Sequence, residues 1–138
     1  MKAPKTQEIY APKDVAIPAR LGGGVLKERV IRELPSKKVV SYALAYINPL
    51  IFSGDNGRVL GYDNSHGYSH RHYMGAITPE PFTSYEALYD RFEQEWQAIA
   101  VKFVNGEEID IILIEIFYIL IGSKRLLTNI QTFTLLTF

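Results

Sequence analysis

The strongest pattern of apolar and polar positions runs from Thr83 to Phe103. Tyr85, Leu88, Tyr89, Phe92, Trp96, Ile99 and Phe103 recur at three- and four-residue spacing, which is one face of an α-helix. Glu86, Asp90, Arg91, Glu93, Glu95 and Gln97 lie mostly off that stripe. Thr83-Ser84-Tyr85-Glu86 reads as a capping box, with Thr83 capping the free amides and Glu86 reaching back. Asn105-Gly106 is the expected stop. The aromatic stripe is read as core.

Upstream the period falls to two. Lys38 to Ile47, KVVSYALAYI, predicts a strand. Val40, Tyr42, Leu44 and Tyr46 share one face; Val39, Ser41, Ala43, Ala45 and Ile47 share the other, which is small and suits a covering helix. Asn48-Pro49 ends the strand, Ser53–Gly57 is a turn cluster, and Arg58 to Tyr62 returns, so residues 38–62 form a hairpin. Asp63–Gly67 is a second turn. Tyr68 to Met74 is a third strand antiparallel to Arg58–Tyr62, ended by Pro79 and Pro81. Val25 to Leu34 mixes apolar and charged residues and reads as a charged strand, closed by Pro35-Ser36. No Gly-Lys-Ser/Thr follows Gly22-Gly23-Gly24, so a phosphate loop is excluded and a flexible turn is expected.

The two ends differ from this middle. Residues 1–19 are polar and broken by Pro4, Pro12 and Pro18, and read as a flexible arm. Ile109 to Ile121 holds seven isoleucines in thirteen positions. Such a segment must be buried or paired, and an added strand or an oligomer contact is its expected role. The organisation is therefore an arm at 1–19, a domain at 20–104 and an apolar C-terminal extension at 105–138. The fold class is α+β: a small antiparallel β-sheet of hairpins packed against one long amphipathic helix.

Composition narrows the function. The chain of 138 residues has the length of one domain and contains no cysteine, which removes disulfide frameworks, thiolate metal sites and cysteine nucleophiles. A cytoplasmic protein is compatible with this. No signal peptide is visible, and the apolar run at Ile111–Ile121 is shorter than the roughly 20 residues of a membrane helix, so no membrane partner is expected. The formal net charge is zero, which on its face opposes a nucleic-acid partner. It is unevenly spread. Residues 1–75 carry eleven basic and six acidic residues, and residues 76–138 carry four and nine. An RNA partner for the basic half is therefore open.

All three histidines, His66, His70 and His72, fall in that basic half within one window, YDNSHGYSHRHY. In a strand His70 and His72 point the same way, and Gly67 lets His66 bend back towards them. One reading is a three-His metal site, but no acidic ligand stands at a familiar spacing. The second reading is phosphodiester cleavage. RNA supplies its own 2′-OH nucleophile, so the protein needs a base, an acid and a phosphate clamp. Asp63, His66, His70, Arg71 and His72 are the candidate catalytic residues; Arg58, Tyr62, Asn64, Tyr68 and Tyr73 are the candidate substrate-binding residues. No metal or other cofactor is called for. Arg71 alternates with the histidines, so a bulge or twisted edge is needed to bring all of them together. The plainer reading makes the same residues the polar surface of a hairpin.

The window GRVLGYDNSHGYSHRHYMG at Gly57–Gly75, followed by Phe82 and the acidic-aromatic helix to Trp96, resembles the TumE-type family of toxin–antitoxin proteins. The resemblance rests on R-V-L-G-Y-D-N-x-H-G at Arg58–Gly67, on H-R-H at His70–His72, and on Tyr-x-Leu-x-Tyr-Ile at Tyr42–Ile47, and spans roughly residues 25–103. It implies a RelE-like toxin of a type II toxin–antitoxin system that acts on translation or RNA, with mRNA endonuclease as the candidate activity. The implied partners are a cognate helix-turn-helix antitoxin and RNA or the ribosome, and the apolar extension suggests a homo-oligomer. The rival readings are a non-enzymatic interaction module and a His-cluster metal-binding protein.

Overall fold

The structure, a computed structural model, describes residues 6–109. Six strands, β1 (Thr6–Ala16), β2 (Val25–Leu34), β3 (Lys38–Ile47), β4 (Arg58–Asp63), β5 (His70–Tyr73) and β6 (Ala76–Pro79), precede one helix, α1 (Tyr85–Val104). The strands form a sheet in chain order, with every neighbouring pair antiparallel. This is the expected α+β arrangement.

The arm expected at residues 1–19 is a strand over most of its length. Residues 6–16 are a sheet strand, paired with β2 from Thr6↔Leu34 to Ala16↔Val25. Proline does not prevent this, because Pro12 stands on a strand at the margin of the described sheet, where a missing N–H is tolerated. Arg32 ties the pair together: its Nε donates to Glu8 Oε1 at 2.9 Å, and its guanidinium lies 3.7 Å from the centre of the Tyr10 ring.

The helix covers the opposite face of β3 from the one anticipated. Tyr42, Leu44 and Tyr46 are buried, while Ser41 and Ala43 are exposed. Tyr46 meets Trp96 with ring centroids 5.6 Å apart, and Tyr62 meets Phe92 edge-on at 6.4 Å. The larger apolar face takes the helix because burial scales with apolar area, about 1.5–3 kcal/mol for each large side chain enclosed. Among the described residues no helix covers the small face of β3.

The caps and turns differ from the sequence expectation at two places. Ser84, not Thr83, caps α1, its hydroxyl accepting from Ala87 N at 3.1 Å. The triple glycine forms the expected turn, all three residues at positive φ, and Gly22 and Gly24 also serve close packing. A Cβ on Gly22 would stand 2.8 Å from Ala100 Cβ of the helix, and one on Gly24 would stand 2.5 Å from Ile47 O. The third strand is shorter than expected and turns through Met74-Gly75, both at positive φ, into the unforeseen β6. Asn105 and Gly106 end the helix as anticipated.

No helix among the described residues is long and apolar enough to cross a membrane. Most of the C-terminal extension expected at 105–138, from residue 110 onward, lies outside the described residues, as does the oligomer contact assigned to it.

Candidate functional site

The β4–β5 hairpin sorts the candidate residues onto two faces. Cross-strand partners are Asp63↔His70, Tyr62↔Arg71, Gly61↔His72 and Leu60↔Tyr73. Alternation puts Gly61, Asp63, His70 and His72 on the face away from α1, and Leu60, Tyr62, Arg71 and Tyr73 beneath the helix. The connecting turn, Ser65–Gly67, uses positive φ at His66 (65°) and Gly67 (85°). Asn64 anchors this turn to β3. Its Oδ1 accepts from Tyr42 N and its Nδ2 donates to Val40 O, each at 3.0 Å. An amide held in this way is a bracket of the sheet.

Asp63 is the centre of the cluster on the face away from α1, where His70 and His72 are themselves buried, at 4% and 7% exposed. His70 Nε2 lies 2.8 Å from Asp63 Oδ1, and His72 Nε2 lies 2.9 Å from Asp63 Oδ2. The Ser65 amide, at 3.1 Å, and the Ser65 hydroxyl also donate to Oδ1. Burial works against the carboxylate, but the Ser65 hydrogen bonds and the two imidazoles outweigh it and hold Asp63 below the ordinary aspartate range.

Arg58 joins the cluster, and Arg71 does not. Between Tyr46↔Leu60 and Ile47↔Arg58 the β3–β4 ladder shifts register, with one extra residue on β4. The bulge re-aims Arg58 onto the open face. Its Nη2 lies 3.0 Å from His72 Nδ1 and its Nη1 lies 4.0 Å from Asp63 Oδ2. Asp55 grips it from behind, with Arg58 Nε to Oδ2 at 2.7 Å and Nη2 to Oδ1 at 3.1 Å. Gly61 makes room for the stem: a Cβ there would stand 2.9 Å from Arg58 Cδ. Neither Asp55 nor Gly61 stood out in the sequence. The signal was present as an acid three residues before Arg58 and a glycine three residues after it.

Protonation follows from these partners. Arginine only donates, so His72 Nδ1 is an acceptor and the ring proton sits on Nε2, facing Asp63. Burial and then Arg58 push the His72 pKa down, against the opposing pull of Asp63. His70 differs. Its Nδ1 lies 3.1 Å from Tyr68 O, so both nitrogens face oxygen acceptors. A neutral ring donates to one of them; the doubly protonated ring donates to both. His70 and His72 pack edge to face at 4.8 Å, the exposed Tyr68 ring lies 5.0 Å from His70, and the exposed His66 ring lies 6.4 Å from His70.

On the other face, Arg71 is 3% exposed beneath α1 and its guanidinium is engaged by Glu95, so the expected phosphate clamp is withdrawn. Its Nη2 lies 2.9 Å from Glu95 Oε2 of α1, its Nε lies 3.2 Å from the Tyr62 hydroxyl, and that hydroxyl donates to Glu95 Oε1. Burial raises the Glu95 pKa, with Arg71 opposing. Tyr73 is buried on the same side, 5.0 Å from the Arg71 guanidinium. Strict alternation explains the placement of all three, Tyr62, Arg71 and Tyr73.

The ligand atoms of Asp63, His70 and His72 lie within 4.8 Å of one another, a spacing that also suits a divalent ion. The Arg58 guanidinium against both His72 and Asp63 places a fixed positive charge beside that position and opposes a second cation.

A family model described as Toxin TumE matches residues 6–100, from the first residue of β1 through most of α1. No curated protein and no solved structure matches the chain. The match takes in the whole sheet and every residue of the Asp63 cluster, and the chain belongs to the TumE toxin family.

Proposed function

We propose that this chain is the toxin of a type II toxin–antitoxin pair and acts in the cytoplasm as a metal-independent endoribonuclease. The observation that carries the reading is one carboxylate, Asp63, holding two histidines, with Arg58 beside them on the face that α1 leaves open. Arg58 takes the role first given to Arg71: its Nη1 meets a non-bridging oxygen of the scissile phosphate. When the phosphate draws Arg58 off His72, Nδ1 accepts the 2′-OH proton, and Asp63 steadies the imidazolium that forms. The 2′-oxygen then bonds to phosphorus, the bond to the 5′-oxygen breaks, and His66 on the exposed turn delivers the proton that this oxygen needs. The products are a 2′,3′-cyclic phosphate and a 5′-hydroxyl. Tyr68, half exposed against His70, offers a stacking face to a flanking base. A helix-turn-helix antitoxin is the partner that neutralises the toxin.

Expression of the full chain alone is expected to arrest growth, and His70→Ala or His72→Ala to relieve the arrest. The purified chain is expected to cut single-stranded RNA in excess chelator. Undiminished toxicity of both variants would sink the catalytic assignment, and activity lost to chelator and restored by a divalent ion would return the site to the metal reading.

A further inference from the structure

The face left open by α1 continues past the cluster. Two rows of residues in register cross it. One runs Arg29↔Ala43↔Asp63↔His70 and the other Lys27↔Ala45↔Gly61↔His72, over β2, β3, β4 and β5. Both rows follow one order: a cation on β2, alanine on β3, then the residues of the site. The Arg29 side chain is exposed and has no hydrogen bond or ion pair among the described residues. Lys27 has one exposed partner, Asp14, at 3.9 Å. An exposed ion pair of that length holds a lysine only weakly. Ala43 is exposed and Ala45 half-buried, so nothing bulky stands between the β2 cations and Asp63. At roughly 4.8 Å between strands, Arg29 and Asp63 backbones stand about 10 Å apart.

We propose that this strip is a track for single-stranded RNA, with Arg29 as the main contact and Lys27 as the second. They hold phosphates flanking the scissile one, and the strand lies flat across Ala43 and Ala45 to reach Arg58, whose stem covers Gly61. The proposal rests on the RNA reading above and adds the direction in which substrate crosses the sheet. Arginine at the outer end suits this, because its planar fork pairs with two phosphate oxygens at once. The alanines matter as much as the cations, since a polymer backbone needs a low floor.

The test is binding of the full chain to a short oligouridylate by fluorescence anisotropy over a range of salt concentrations. Arg29→Ala is expected to weaken binding roughly tenfold and to flatten the slope of log K against log salt by about 0.7, the contribution of one single-strand phosphate contact. Arg29→Lys is expected to restore most of that slope. Ala43→Trp, which keeps every charge, is expected to block binding while leaving the thermal melt in place. If the wild type binds and cleaves RNA while Arg29→Ala and Ala43→Trp behave as the wild type, the track is overturned and the nuclease reading stands. If the wild type neither binds nor cleaves RNA, both fall.

Discussion

Arg58 Nη2 sits 3.0 Å from His72 Nδ1, and this contact sets the tautomer of the His72 ring. Because the guanidinium can only donate, it keeps His72 neutral at Nδ1 and turns its Nε2 proton towards Asp63. Arg58→Gln should therefore raise the His72 pKa, while burial keeps it from full recovery. An imidazole titration by NMR checks this; an unmoved His72 pKa would show that burial alone lowers it.

Gly61 is predicted to matter for activity more than for folding. A methyl group there stands 2.9 Å from Arg58 Cδ and 3.1 Å from Leu44 O. The arginine stem is flexible and gives way, so Gly61→Ala should pull Arg58 from His72 and Asp63. Toxicity should fall by at least tenfold while the melting temperature stays within a few degrees. A variant as toxic as the wild type would mean that Arg58 reaches its partners by another path.

Stability should fall as the solution is acidified, in two stages. The folded-state pKa of His72 lies below its ordinary value of 6.5. The unfolded chain therefore takes up this proton first, and stability drops as pH falls from about 6.5 through the folded value. Asp63, lowered from 3.8, adds a second loss as pH falls below that value. Urea midpoints measured at several pH values check both, and His72→Gln should remove the upper stage alone. A flat profile between pH 7 and 5 would contradict the His72 assignment.

Breaking the buried pair beneath the helix should be costly. Arg71 and Glu95 side chains are 3% and 4% exposed and joined at 2.9 Å. Glu95→Ala leaves the guanidinium facing a dry interface and is expected to destabilise by about 3–5 kcal/mol. The double variant Arg71→Met, Glu95→Leu should recover much of that loss. Denaturant melts of the three chains decide it, and a harmless Glu95→Ala would refute the pairing.

The two candidate helix caps are separable by mutation. Ser84→Ala removes the bond to Ala87 N and should cost about 1 kcal/mol. Thr83→Ala should change the melt by only a few tenths. The reverse order would restore the capping box read from the sequence.

Periodicity and turn residues determined by themselves the helix over Tyr85–Val104, the strands β2 to β5 and the clustering of histidines on one hairpin, because these depend on neighbours a few residues apart. They also determined that Arg71 cannot face the same way as His70 and His72, since alternation is a property of the backbone. Three things were decided only by tertiary structure. Residues 6–16 look like a polar arm until β2 offers them an edge to pair with. The helix chooses the aromatic face of β3 because that choice buries more apolar area, and so the small face becomes the floor of the site. The arginine beside the histidines is Arg58, delivered by an extra residue in β4 and pinned by Asp55. A bulge and a distant ion pair leave no period in a sequence; they exist only once the strands have met.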